Sequence, residues 1–254
     1  MTDTIDVNAY WGGWPYWPVT VRTPTDLLTL LDDNGIQYAA LSSLKAVFVD
    51  CVAGNADLAD LSAATGGRAL PYLVVNPLCE AEAAALVDGA AAGPFVGFSL
   101  FPLHHGYSLD EDLPALAYLL DRAATWGRPV LVPLRLAMHF WLPVLPIAAV
   151  VRLAESRPDV TFILGAVNYE GRAARASLRR LPNLCIELSA DAQIDAMTDY
   201  LAAAGPDRVM LGTGLVLQQP APALAKVHAA DLSPAVRVAI LRGNAGRVLR
   251  LSGG

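Results

Sequence analysis

Short apolar runs alternate with longer segments rich in alanine and leucine along the whole chain. The runs are almost continuously apolar, which is typical of strands buried on both faces of a parallel sheet. Eight of them are predicted strands, at residues 4–10, 36–41, 70–75, 95–101, 129–134, 160–164, 184–188 and 208–211. The segments between them predict helices. The last helix has a clear start, because Ser233 is a favoured N-cap and Pro234 a favoured first helical residue.

Eight strand–helix pairs in 254 residues predict an α/β protein in which helices cover a parallel sheet. Eight units that close on themselves form a (β/α)8 TIM barrel, and the alternative is a doubly wound open sheet. No Gly-x-Gly-x-x-Gly motif follows a predicted strand, which argues against a dinucleotide-binding open sheet. We therefore expect one (β/α)8 barrel domain spanning residues 1–254.

Hydrophobic residues make up 54% of the chain, and the mean hydropathy is +0.41. So much apolar surface must be covered by a core, by a partner subunit or by both, and we expect a homodimer. The most apolar run, residues 140–151, is too short to span a membrane and contains two prolines. The first residues lack the basic end and apolar stretch of a signal peptide, so we expect a cytoplasmic protein with no membrane partner.

The net charge of −6 and the scattered arginines indicate no basic surface patch, so we expect no nucleic-acid partner. The three cysteines, Cys51, Cys79 and Cys185, are far apart, and none lies in a Cys-x-x-Cys pair. This spacing predicts neither a disulfide framework nor a zinc site. Three buried, reduced thiols are the simplest interpretation, and a single catalytic cysteine is the alternative.

Polar side chains near the end of the first predicted strand form the first candidate site. Asn8 and Tyr10 are two residues apart, so they project from the same side of the strand. A Gly-Gly turn follows, flanked by Trp11 and Trp14, and lets the backbone approach a ligand closely. The aromatic residues predict a pocket for a flat or apolar ligand; the alternative is a subunit contact or a lid. We expect the pocket, with Asn8 and Tyr10 as catalytic groups.

Two adjacent histidines, His104 and His105, follow the fourth predicted strand in a predicted loop at residues 102–107. In a TIM barrel the active site lies at the carboxyl ends of the strands, and histidine is an effective general acid or base near neutral pH. We predict that at least one of them is catalytic. The alternative for each is a structural role in the loop.

Further polar residues after other predicted strands are candidates for substrate binding. Arg135 and His139 follow the fifth strand, where an arginine can clamp a carboxylate or pair with an acid at the rim. Glu187 lies in the seventh strand and must pair with an arginine or face a polar pocket, because burying it unpaired is costly. Asn168 follows the sixth strand. Lys45 follows the second, where a plain loop or helix start is the alternative.

Several short motifs, each weak alone, occur in a specific order along the chain. They include Ile-Asp-Val at residues 5–7, Gly-Asn at 54–55, Val-Val-Asn-Pro at 74–77 and Gly-Arg-Pro-Val at 127–130. The most specific are Asp-Arg-Val-Met-Leu-Gly-Thr-Gly at 207–214 and Ile-Leu-Arg-Gly-Asn-Ala at 240–245. With these motifs the sequence resembles the amidohydrolase-related proteins, in the branch of metal-dependent barrels that includes small-acid decarboxylases and lactonases. The resemblance implies an amidohydrolase-like TIM barrel.

The resemblance also implies five positions at which such proteins hold a catalytic metal. The two histidines of the first strand correspond to Asn8 and Tyr10. A histidine that ends the fifth strand falls near Pro133, one after the sixth falls near Ala166, and an aspartate after the eighth corresponds to Gly214. Since none of these residues is a good ligand for zinc or manganese, we expect no catalytic metal and no other cofactor.

Two functions are compatible with a barrel that lacks these ligands. The first is a metal-independent lyase, isomerase or hydrolase that uses acid/base or electrostatic catalysis on a small apolar or aromatic carbonyl or carboxylate substrate. Candidate reactions are cyclisation, dehydration, isomerisation, decarboxylation and lactone opening, and the resemblance permits this because related lactonases include members thought to work without metal. The second is a catalytically inactive barrel that binds a ligand or stabilises a partner. We favour the enzyme.

Overall fold

The computed structural model describes residues 4–137, 142–191 and 195–251. Eight parallel strands pair in sequence order: β1 Thr4–Trp11, β2 Ile36–Ser43, β3 Ala69–Val74, β4 Gly97–Ser99, β5 Val130–Pro133, β6 Phe162–Gly165, β7 Leu184–Glu187 and β8 Val209–Met210. Backbone hydrogen bonds of 2.7–2.9 Å then join β1 to the segment that begins at β8, for example from Val7 N to Leu211 O and from Gly214 N to Asn8 O. They close the sheet, and the predicted (β/α)8 barrel is confirmed.

Helices cover the outside of the barrel. They are α1 Pro24–Asp33, α2 Leu44–Phe48, α3 Cys51–Ala64, α4 Glu80–Ala90, α5 Pro102–His105, α6 Pro114–Trp126, α7 Ile147–Ser156, α8 Gly171–Arg180, α9 Ala196–Ala204, α10 Ala221–Ala229, α11 Pro234–Val238 and α12 Asn244–Val248. The start of α11 is confirmed, since the Ser233 side chain accepts from the backbone N–H of Val236. None of the helices in the described ranges is both long and apolar enough to cross a membrane.

Side chains on the strands alternate between two apolar layers, as the pleat of a strand requires. One layer lies between the sheet and the helices and includes Val130, Phe162 and Ile186. The other fills the barrel itself and includes Ile5, Val7, Ala40, Tyr72, Leu131, Ile163, Cys185 and Met210, with Ala245, Val248 and Leu249 packed against them. The interior is thus a packed core in which each large buried side chain contributes about 1.5–3 kcal/mol.

Two short helices depart from the sequence expectations. Residues 102–107 were expected to form a loop, but they begin with the one-turn helix α5, which has Pro102 at its start and ends at Gly106 with a left-handed φ of 77°. Helix α2 was not expected, and the Ser43 side chain caps it by accepting from Ala46 N at 3.2 Å. Both are one-turn elements, too short for an apolar periodicity of 3.6 residues to be recognised.

Candidate active site at the barrel mouth

The carboxyl ends of the strands and the loops after them meet at one end of the barrel, which we call the mouth. Apolar side chains from the segments after β1, β2, β3, β4, β5 and β8 pack together there. This mouth cluster contains Tyr10, Trp14, Val19, Leu44, Ala46, Val47, Val74, Phe101, Leu136, Ala137, Leu142 and Leu217. The surroundings of any ligand at this end are therefore largely apolar and aromatic.

Asn8 and Glu187 form the centre of a buried polar network, deeper in the barrel than Tyr10. The side-chain amide of Asn8 donates to Glu187 Oε1 over 2.9 Å and to Ser189 Oγ over 3.4 Å. Glu187 also accepts from the backbone N–H groups of Ala166 and Ser189, and from the Ser189 hydroxyl at 2.8 Å. Burial raises the pKa of Glu187, and these hydrogen bonds oppose the rise because they favour the charged form.

Two glycines make room for the Glu187 side chain. A Cβ atom added at Gly212 would lie 1.9 Å from Glu187 Oε2, and one added at Gly165 would lie 3.3 Å from Oε1. Any larger residue at Gly212 therefore collides with the carboxyl group unless that group moves. The glycines of the two segments that flank β7 thus leave the space that the Glu187 side chain occupies.

Asp6 is a second fully buried carboxyl group, at the seam where the barrel closes. Its Oδ1 accepts from the backbone N–H of Asn8 at 3.0 Å and of Thr213 at 3.1 Å, and its Oδ2 accepts from the Thr213 hydroxyl. Burial raises the pKa of Asp6 to about 7, against the opposing effect of these hydrogen bonds. Because Thr213 follows β8, this carboxyl group links the first strand to the last.

Tyr10 is the member of the mouth cluster next to the polar network, and it is fully buried. Burial and the charge of Glu187 raise the pKa of Tyr10, so its phenol stays protonated at neutral pH. The neighbouring Asn8 side chain acts in the opposite direction and lowers that pKa, although it makes no hydrogen bond of normal geometry with Tyr10 Oη. In the described part of the chain, Tyr10 Oη, Asn8 Oδ1, Trp14 Nε1 and Arg135 Nε are buried without a hydrogen-bond partner. The mouth thus has hydrogen-bonding capacity that a ligand can satisfy.

Arg135 follows β5 and is held by a carboxylate. Its guanidinium donates to both oxygens of Glu170, at 2.8 and 3.0 Å, and Glu170 also accepts from the backbone N–H of Asn168 at 3.2 Å. Arg135 is only 8% exposed, so the pair is largely removed from water and the orientation of the guanidinium is fixed. The two predicted binding residues Arg135 and Asn168 are thereby brought together, through Glu170.

His104 and His105 lie on α5, close to α2. The ring of His104 stands edge-on to Phe48, with centroids 5.4 Å apart, and burial together with the nearby His105 lowers the pKa of His104 to about 4. His105 Nε2 lies 3.3 Å from the carbonyl oxygen of Ala46, and burial lowers its pKa as well. The lowered pKa values favour the neutral form of both rings at pH 7. Their hydrogen bond and ring contacts run to α2 and to residues 101–107.

The aromatic turn after β1 packs on itself and on α2. The ring centroid of Trp14 lies 5.1 Å from that of Tyr16, 5.3 Å from that of Trp17 and 5.6 Å from that of Phe48. Trp11 instead packs against the layer between sheet and helices. Both Trp11 and Trp14 line a cavity of about 370 Å³ beside the turn. Of the two, Trp14 belongs to the mouth cluster.

Lys45 and His139 are the other two residues that the sequence suggests for substrate binding. Lys45 lies on α2 and forms an ion pair with Asp57 of α3 at 2.8 Å, with both side chains well exposed to solvent. His139 falls outside the described residues, so its position relative to Arg135 is not defined.

Three residues of the polar network, Asp6, Ser189 and Thr213, were not singled out from the sequence. Asp6 is an acidic residue inside an apolar strand, and a buried carboxyl group needs hydrogen-bond partners. The sequence alone therefore marks Asp6 as a candidate for a buried polar contact. Ser189 and Thr213 follow β7 and β8, and the rule that barrel strands end at the active site would have selected them.

The comparison with known proteins agrees with the fold. The sequence profile of a family described as Amidohydrolase matches residues 4–251, which is nearly the whole chain. The chain belongs to the amidohydrolase family. No curated protein matches this amidohydrolase-family sequence significantly.

Solved structures similar to this amidohydrolase-family chain extend over its whole length. They include 5-carboxyvanillate decarboxylase from Sphingomonas paucimobilis, with a TM-score of 0.78 and 16% identity over 98% of this chain and 99% of that chain. A dihydroxybenzoic acid decarboxylase from a Polaromonas species, with bound manganese and 2-nitroresorcinol, has a TM-score of 0.78 and 16% identity over 100% and 98%. A probable 2-pyrone-4,6-dicarboxylic acid hydrolase from Acinetobacter baumannii has a TM-score of 0.72 and 14% identity over 98% and 99%. At these identities the likeness shows the fold alone.

Within residues 4–137, 142–191 and 195–251, no three His, Cys, Asp or Glu side chains are grouped so that they could hold a metal ion.

Proposed function

We propose that this amidohydrolase-family barrel binds a small aromatic or apolar carbonyl or carboxylate compound at its mouth and acts on it by electrostatic and acid/base catalysis, without a catalytic metal. The observation that carries the proposal is the set of unpartnered polar atoms at the mouth, on Asn8, Tyr10, Trp14 and Arg135. Three of these atoms are donors and one is an acceptor. Leaving them buried and unpaired costs about 1–3 kcal/mol each, which a bound ligand would recover.

The chemistry of the donors supports a site without a divalent cation. At two positions where the family has histidine ligands, Asn8 gives its amide N–H and Ala166 its backbone N–H to the same carboxyl group, Glu187. Both groups are N–H donors, and the positive end of an N–H group is repelled by a cation. Asp6 and Glu187 use their oxygens to accept hydrogen bonds from groups inside the protein. These residues do not fit a catalytic metal.

The residues at the mouth have complementary roles toward such a compound. The phenol of Tyr10 stays protonated, so it can donate a hydrogen bond to a carbonyl or carboxylate oxygen on which negative charge develops. Arg135 supplies a positive charge whose direction Glu170 fixes. Asn8 is oriented by Glu187 and offers Oδ1 as a hydrogen-bond acceptor for a hydroxyl group of the ligand. This arrangement suits bond polarisation, as in decarboxylation or lactone opening.

The names of the similar structures point to the same class of compound. The enzymes they name act on 5-carboxyvanillate, dihydroxybenzoic acid and 2-pyrone-4,6-dicarboxylic acid, which are all ring compounds that carry carboxylates. A ring of this size suits a mouth walled by Trp14 and Phe101, with a carboxylate near Arg135.

A second function is a ligand-binding barrel without turnover. The observation in its favour is that Trp14, Phe101, Leu136, Leu142 and Leu217 pack against one another at the mouth. In addition, Nε2 of His105 is within hydrogen-bond distance of the carbonyl oxygen of Ala46, at 3.3 Å. If these groups keep their places when a ligand binds, His105 Nε2 does not take part in acid/base chemistry.

The test is a screen of benzoates, hydroxybenzoates, pyrones and aromatic lactones for turnover and for binding, in the presence of a chelator and with the metal content measured. We expect turnover that the chelator leaves unchanged, that falls about 10²-fold or more in Tyr10→Phe, and that is kept in Tyr16→Phe. Tyr16 is a matched control, because it lies on the turn that follows β1 and is 60% exposed. Binding without turnover would establish the second function. Stoichiometric zinc or manganese, with activity lost to the chelator, would overturn the metal-free proposal.

A further inference from the structure

The opposite end of the barrel, where the strands begin, has a second cavity of about 220 Å³. It lies between the end of α4, the start of β4 and the end of α6. The residues around it are Ala90, Ala91, Gly93, Phe95, Gly97, Phe98, Trp126 and Arg128. This cavity shares no residue with the mouth cluster.

Three of the eight residues around it are aromatic. Phe98 is buried and stacks on the half-buried Trp126, with centroids 6.0 Å apart and an angle of 16° between the planes. Phe95 is half-buried. A Cβ atom added at Gly93 would lie 2.9 Å from the Phe95 ring, so any larger residue at position 93 would push that ring aside. A cavity of this size with flat walls suits one aromatic ring rather than a long or branched molecule.

Two arginines place positive charge beside these rings. Arg128 lines the cavity and donates through Nη1 to the carbonyl oxygen of Leu249 at 3.1 Å. Arg250 donates to the carbonyl oxygen of Trp126 at 3.0 Å, and its guanidinium lies where a Cβ atom of Gly127 would be. Neither arginine has an ion-pair partner among the salt bridges of residues 4–137, 142–191 and 195–251. Two neighbouring positive charges without a carboxylate attract an anion.

We infer that this cavity binds a one-ring aromatic carboxylate, with the ring against Phe95 and Trp126 and the carboxylate facing Arg128. The guanidinium group matches a carboxylate through parallel hydrogen bonds, and Arg250 adds long-range attraction. Aromatic walls favour a ring over a bare inorganic anion. The site is separate from the mouth, so it can be tested independently of the function proposed there.

The probe is benzoate, followed by ¹⁹F NMR of protein labelled with 5-fluorotryptophan. The chain has five tryptophans, and the Trp126 signal is assigned from its loss in Trp126→Phe. We expect benzoate to shift the Trp126 signal in a saturable way, and cyclohexanecarboxylate and inorganic phosphate to bind about tenfold more weakly or worse.

Ala91→Phe tests the site without touching an arginine, because Ala91 is exposed and lines the cavity, and the larger side chain fills it. This variant should abolish the Trp126 shift. The matched control Ala92→Phe, one residue further along and not part of the wall, should keep it. An unshifted Trp126 in the wild type, or a shift that survives Ala91→Phe, would overturn the inference. An equal response to phosphate would refute the aromatic specificity. A shift of Trp14 alone would assign benzoate binding to the mouth and refute this site.

Discussion

The side-chain amide of Asn8 on β1 donates a 2.9 Å hydrogen bond to Oε1 of Glu187 on β7, across 179 residues of sequence. This contact commits the Asn8 N–H to the protein and leaves its Oδ1 for a ligand. It also explains why a glutamate can be buried completely in a barrel: backbone and side-chain donors from three segments converge on it.

Replacing Glu187 by glutamine should destabilise the protein. The backbone N–H groups of Ala166 and Ser189 and the amide of Asn8 all donate to the carboxylate, and a glutamine NH2 group would face donors. We expect the free energy of unfolding to fall by about 1–3 kcal/mol. Urea denaturation at pH 7.5 measures it, with Glu155→Gln on the surface as control. An unchanged midpoint would show that Glu187 is protonated in the folded protein.

Gly212→Ala should be destabilising because the new methyl group would lie 1.9 Å from Glu187 Oε2. We expect a loss of about 1–3 kcal/mol in the free energy of unfolding. Gly13→Ala is the control, since nothing lies within 4 Å of a Cβ atom there. In the background Glu187→Ala the loss at Gly212 should largely disappear, and a double-mutant cycle shows it. A cost that is equal in both backgrounds would contradict the packing described.

Asp6→Asn should change the dependence of stability on pH. The pKa of Asp6 is about 7 in the folded protein and near 4 when unfolded, so the folded state binds more protons between these values. This group therefore stabilises the fold below about pH 4, and its contribution is lost as pH rises to about 7, by on the order of a few kcal/mol. Asparagine can keep the hydrogen bonds with Asn8 and Thr213, and it does not titrate.

The measurement is the free energy of unfolding from pH 4 to pH 8 for the wild type and for Asp6→Asn. The difference between the two should favour the variant increasingly up to about pH 7 and then stay constant. His104 acts in the opposite sense, because its lowered pKa removes stability as pH falls from about 6.5 to about 4. Its effect is common to both proteins and cancels. A difference that does not vary with pH would show that Asp6 titrates normally.

Tyr10→Phe should separate stability from function. The Tyr10 hydroxyl is buried without a partner, so its removal should leave the free energy of unfolding unchanged or raise it by about 1 kcal/mol. The same change should strongly weaken ligand binding or turnover at the mouth. Thermal unfolding and the ligand screen measure the two quantities. A clear loss of stability would mean that the hydroxyl has a structural partner in solution.

The barrel could be predicted from the sequence because eight apolar runs alternate with helical segments, and this pattern depends on local order alone. The strand ends carried the polar residues Asn8, Tyr10, Arg135 and Glu187, so the general location of the site followed as well. What could not be predicted was which residues meet. Asn8 donates to Glu187, and Arg135 pairs with Glu170, because of strand register and loop direction.

The histidines show the limit of such prediction. His104 and His105 follow β4, where a general acid or base is expected, and α5 places them against Phe48 and Ala46 of α2. A one-turn helix decides their direction, and its signals, Pro102 and Gly106, are also common in loops. Asp6 shows a different limit, since one acidic residue inside an apolar strand does not reveal its partner Thr213, which lies 207 residues further along the chain.

The seam between β1 and β8 has a consequence for the newly made chain. β1 is synthesised before its closing partner at residues 211–215, so β1 has an open edge until those residues have been made. Open edges pair with other chains, and an inward-pointing charge is one of the devices that prevent this. In water Asp6 is ionised and opposes such pairing. Thr213 is made after β1 and adds a hydroxyl and an N–H to the hydrogen bond that Asp6 already accepts from the Asn8 backbone, and Asp6 is then buried. Asp6 therefore discourages pairing of the open edge before the barrel closes and joins the first strand to the last afterwards.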